Sequence, residues 1–117
     1  MTTVIETPAE ARTRTGVSVV IPVLNEEEAI GTVIDSLRRE EVDAIIIADG
    51  GSRDRTVAIA EARGARVIHA GKGYGRACLL GAESAGPDCR ILVFMDGDGA
   101  DVTSELPRLV APIRRHA

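Results

Sequence analysis

The chain has 117 residues, enough for one modest hydrophobic core and too few for two. Hydrophobic residues at 44% and charged residues at 27% lie near the averages of soluble globular proteins, which excludes a wholly disordered or fibrous chain. The net charge of -4 comes without a basic block able to track a phosphate backbone, and aromatics are only 2%, so nucleic acid is not an expected partner.

Residues 1–15 mix Thr, Glu, Arg and Pro without a sustained period and read as a mobile leader ahead of one domain over 16–117. The first predicted strand is VSVVI, 17–21, short, β-branched and free of charge, as a strand buried on both faces should be. PVLNEEE follows. Asn25 there is expected to cap a helix whose first turn carries Glu26, Glu27 and Glu28, acids at the positive end of the helix dipole, and whose core face is Ile30, Val33, Ile34 and Leu37. Glu26 is either a ligand-facing acid or a dipole partner, and spacing alone does not separate the two.

The second strand, AIIIA at 44–48, runs into ADGGSRDRT. Asp49 at its end can accept hydrogen bonds from a base or ribose, and a helix is expected from Ser52 or Asp54 to Gly64. The third strand, ARVIH at 65–69, leads into GKGYG. That loop invites a dinucleotide motif, but the sixth position is Arg76 where glycine or alanine is required. Lys72 in the same loop is a candidate phosphate contact, and a helix is predicted from about Tyr74 to Ser84.

The fourth strand, RILVFM at 90–95, ends in DGDGAD. Asp96 and Asp98, one residue apart on a glycine-rich loop, suit a hard divalent cation, Mg²⁺ or Mn²⁺, that also takes phosphate oxygens, with Asp101 as a further oxygen. Gly97 and Gly99 allow close backbone approach. A last helix is expected from Thr103 or Ser104, with Pro107 in its first turn. His69 and His116 lack metal-ligand spacing, and Cys78 and Cys89 read as reduced thiols. No apolar run reaches membrane-spanning length and the N-terminus lacks a signal pattern, so a cytoplasmic location is expected.

Strand-helix alternation with short loops implies an α/β fold: a parallel sheet covered by helices on both faces, with every strand ending at one edge. Pro22–Glu26, Asp49–Asp54, Gly71–Gly75 and Asp96–Asp101 gather there, where ligands of such sheets bind.

In order, VSVVIPVLNEEEAI, IIIADGGSRDRT, GKGYGRACLLG and LVFMDGDGAD resemble the amino-terminal half of family-2 glycosyltransferases, especially the dolichyl-phosphate mannose and glucose synthase-like branch. The resemblance implies a GT-A fold, Rossmann-like, with strand order 3-2-1-4 in this half. It implies that Pro22, Leu24 and Glu26 line a nucleoside pocket, that Asp49 meets the base, that Asp96 faces ribose and diphosphate, and that Asp98 holds the metal. A nucleotide-diphosphate sugar would be the donor, and a polyprenyl or dolichyl phosphate the acceptor, in inverting transfer at the inner face of the membrane. The catalytic base would lie beyond residue 117. Leu24 stands where many relatives carry tyrosine, Gly50 replaces a frequent second aspartate, and Ala100 occupies a place where some mannose synthases supply a further polar metal ligand. Two other readings are a non-catalytic nucleotide-diphosphate-binding module and a Rossmann-like dinucleotide protein. The order 3-2-1-4 would leave the fourth strand as an exposed apolar edge, with self-association as the expected consequence.

Overall fold

A computed structural model describes residues 3–6, 16–40, 42–87 and 89–98. In chain order these residues form β1 (Thr3–Glu6), β2 (Val17–Val23), α1 (Ile30–Arg38), β3 (Ala44–Asp49), α2 (Thr56–Ala62), β4 (Arg66–His69), α3 (Tyr74–Ser84) and β5 (Ile91–Phe94). One five-stranded sheet runs β1-β5-β2-β3-β4. Its four later strands keep the predicted sequence of neighbours, all parallel, while β1 adds an antiparallel strand beside β5. The helix expected after residue 103, with Asp101 and Gly99, lies outside the described residues.

β1 corrects two expectations. Thr3–Glu6 is a strand, not part of a mobile leader, and it pairs Thr3 with Phe94 through Glu6 with Ile91. The fourth predicted strand is therefore not an open edge. Its backbone groups are taken on one side by β2 and on the other by β1, which removes the template for self-association.

The uncharged β-branched runs are buried on both faces, as their composition requires. Val19, Ile21, Ile45, Ile47 and Val93 pack on one face beneath Ile30, Ile34 and Leu37 of α1. Val20, Ile46, Ala48, Leu92 and Phe94 pack on the other with Ala77 of α3. Gly81 makes that second contact possible, since a Cβ there would overlap the side chain of Val20. β4, at the far edge, is exposed at Arg66 and His69 and only half-buried between them.

The strand ends are level. Val23 pairs with Asp49, and Asp49 with His69, so the loops after β2, β3 and β4 leave the sheet side by side. β5 reaches the same edge through Met95, whose amide donates to the Val20 carbonyl.

Candidate donor-binding site

Two of these loops are joined by side chains. The Asn25 amide donates to Ser52 Oγ (2.9 Å), and the Arg53 amide returns a bond to Asn25 Oδ1 (2.8 Å). One residue on, the Glu26 amide donates to Thr56 Oγ1 (2.8 Å), whose hydroxyl in turn donates to Asp54 Oδ1. The Glu27 amide donates to Asp54 Oδ2 (3.2 Å), and the Arg55 amide to Glu27 Oε2 (3.1 Å). Asn25 is thus no helix cap. It holds a left-handed backbone (φ 54°), which asparagine tolerates better than most residues, and α1 begins only at Ile30.

Beside this junction lies a cleft of about 560 Å³. β2 contributes Pro22, the loop after it Leu24 and Asn25, the β3 loop Gly50, Gly51 and Arg53, the β4–α3 loop Lys72 and Gly73, and α3 its first residue, Tyr74. A second cavity of about 280 Å³ is acidic, lined by Asn25, Glu26, Glu27, Glu28, Asp54 and Asp98. Asn25 belongs to both, so the two hollows adjoin.

Pro22, Leu24 and Lys72 lie together on the cleft. Glu26 lines the acidic hollow with Asp98 and not the cleft that Pro22 and Leu24 line. Asp49, the last residue of β3, lines neither hollow: it is 4% exposed, and its carboxylate accepts the amides of Gly51 (3.1 Å) and Ser52 (3.1 Å). Its observed work is to form the loop. Asp96 is half-buried, and Gly97 lets this loop lie on the end of β2, because a Cβ there would stand 2.7 Å from Cγ1 of Val23. Arg53 and Tyr74 also line the cleft, although nothing in their local sequence marks them. Their signal is position at the carboxyl edge, Arg53 in the loop after β3 and Tyr74 at the start of α3.

Charge is unevenly distributed. Burial and then the negative fields of Asp98, Asp54 and Asp96 hold the Glu26 carboxyl above its ordinary range. Asp54 goes the other way. Burial acts upward on it, but the hydroxyl and amide of Thr56 and the amide of Glu27 donate to its carboxylate and bring it below the ordinary value. Among the described residues no three metal-ligating side chains converge.

The profile of the family described as Glycosyl transferase family 2 matches residues 18–117. The chain belongs to that family. The dinucleotide-binding alternative is thereby set aside, and Arg76, which spoils that motif, instead ties its loop down by donating from Nε to the Ala70 carbonyl (2.8 Å). Among curated glycosyltransferases, the chain is 34% identical over 108 residues to glucosyl-3-phosphoglycerate synthase of Mycolicibacterium smegmatis, covering 83% of this chain and 36% of that protein. It is 37% identical over 100 residues to 4,4'-diaponeurosporenoate glycosyltransferase of Staphylococcus haemolyticus, covering 76% and 26% respectively. A crystal structure of glucosyl-3-phosphoglycerate synthase from Mycobacterium tuberculosis, in complex with Mn²⁺, UDP and glucosyl-3-phosphoglycerate, superposes with a TM-score of 0.71 at 36% identity, over 83% of this chain and 39% of that one. The chain spans about a quarter to two-fifths of these family-2 relatives. No helix among its described residues is long and apolar enough to cross a membrane.

Proposed function

We propose that this chain is the donor-binding part of a metal-dependent glycosyltransferase that takes a UDP-sugar. The observation that carries the reading is the adjoining pair of hollows at Asn25, one with Arg53 and Lys72 among its apolar walls and the other acidic. A nucleoside diphosphate needs both: a slot for its base and ribose, and a cation between protein carboxylates and phosphate oxygens. Asp98, exposed and lining the same hollow as Glu26, and the half-buried Asp96 supply the carboxylates. The bound cation would act as a Lewis acid on the departing diphosphate. Pro22 and Leu24 line the nucleoside side, Asp49 sets the loop beneath it, and Lys72 meets phosphate.

Transfer also needs an acceptor and a group that deprotonates its hydroxyl, and inversion is the stereochemistry a single such displacement gives. The M. tuberculosis enzyme has been crystallised with Mn²⁺, UDP-glucose and phosphoglyceric acid, a small phosphorylated acid. The lipid-phosphate acceptor implied by the family resemblance has no support of this kind.

A second reading, a non-catalytic nucleotide-diphosphate-binding module, rests on the same adjoining pair of hollows. Calorimetry tests what the two share. UDP is expected to bind with Mn²⁺ and to lose that binding in EDTA, and Asp98→Ala should remove the metal-dependent part while leaving the melting transition in place. Equal affinity with and without metal would overturn the donor site as described.

A further inference from the structure

We infer that the base-side slot grips its nucleotide by ring-face contact from Tyr74 and Leu24 across a floor at Gly50, making Tyr74 and Gly50 specificity-determining residues. The inference rests on the UDP-sugar reading above. Three observations converge on it.

The sheet order places β3 between β2 and β4, so the loop carrying Gly50 lies between the loop carrying Leu24 and the one leading to Tyr74. Leu24 and Tyr74 are 56% and 57% exposed, large apolar groups left open to water although both line one cleft. An exposed aromatic on the rim of a concave site is a ready platform for a flat ring. Between them the floor is narrow. A Cβ on Gly50 would stand 3.3 Å from the Val23 carbonyl oxygen, 3.4 Å from that of Gly71 and 4.0 Å from Leu24 Cβ. Glycine keeps this gap open by its size and not its backbone freedom, since its φ lies outside the left-handed region.

Selection in such a slot is by the face and width of the ring. Asp49, the acid closest in sequence, is buried with its carboxylate on the Gly51 and Ser52 amides, so the nearest buried acid shapes the loop and does not line the slot. The prediction is specific to the base. Tyr74→Ala should weaken Mn²⁺-UDP about tenfold, within the range of one lost base-aromatic stack, and leave Mn²⁺-pyrophosphate unchanged. Tyr74→Phe should retain wild-type affinity for both, and Gly50→Ala should weaken UDP selectively.

Calorimetry of these variants with both ligands decides it, with thermal melts to confirm folding. If the wild type binds Mn²⁺-UDP and Tyr74→Ala binds it equally well, the ring-face contact is wrong while the donor site stands. If Tyr74→Ala loses UDP and pyrophosphate in parallel, Tyr74 acts on the loop and the inference again falls. A wild type that binds neither ligand with Mn²⁺ would overturn the donor reading itself, and this inference with it. Should a variant fail to fold, Leu24→Ala on the opposite flank carries the same base-selective expectation and the same overturning result.

Discussion

Glu26 shows what a single charge does in this site. Its carboxyl titrates above the ordinary range because burial and three neighbouring aspartates disfavour the anion. The folded chain therefore takes up that proton more readily than the unfolded one, so ionised Glu26 opposes folding at neutral pH, and the opposition fades as the pH falls through its raised folded value. Glu26→Gln keeps the amide that donates to Thr56 and removes the charge. Urea melts should show the variant more stable than wild type at about pH 7, by less than about 1 kcal/mol because the group stays partly open to solvent, with the difference gone by about pH 4. A gain of equal size at both pH values would show that charge is not its cause. The close approach allowed by Gly97 was legible from residue type alone, since a glycine beyond a buried strand admits backbone where a side chain would obstruct. Glu26 was not, because a helix-start acid and a site acid look the same until the loop is built.

At the scale of elements, the β2–α1 and β3–α2 loops are one unit. Thr56 is its buried pivot, 0% exposed, accepting from the Glu26 amide and donating to Asp54. Thr56→Val preserves shape and leaves the Glu26 amide without that acceptor. The expected loss is about 1–3 kcal/mol in urea unfolding, together with weaker Mn²⁺-dependent UDP binding, because Glu26 and Asp54 then lose their register. Unchanged metal-dependent binding would separate the loop junction from the site. This junction also marks where sequence reading stops. Strands β2 to β5 and the helix Tyr74–Ser84 were legible from apolar periodicity, and Gly64 with φ 79° ends α2 as a C-terminal glycine should. Asn25 was read as a cap because asparagine before three glutamates is the local signature of one. Its actual partner, the Arg53 amide, lies on another strand's loop, and nothing local encodes that distance.

Over the whole molecule, the parallel order of β2 to β5 follows from strand-helix alternation and the family resemblance. β1 does not. Its four residues carry a weak pattern, and a strand so short is defined by the partner it meets, here the apolar edge of β5. Val4 packs against the core on the α1 side of the sheet, so β1 contributes burial as well as pairing. The edge that composition marked as a hazard is met by a segment from the other end of the described chain.

That pairing also sets an order in time. β2, β3 and β4 follow one another with a single helix between neighbours, and each pair can close as soon as both strands exist. β1 emerges first and must wait, because its partner is the last strand described, and so large a loop adds entropy to the closure of that pair. Refolding followed by pulsed hydrogen exchange should find the β2–β3 amides protected first and the Thr3–Glu6 amides last. Simultaneous protection of both would mean that the two ends meet before the interior of the sheet is built.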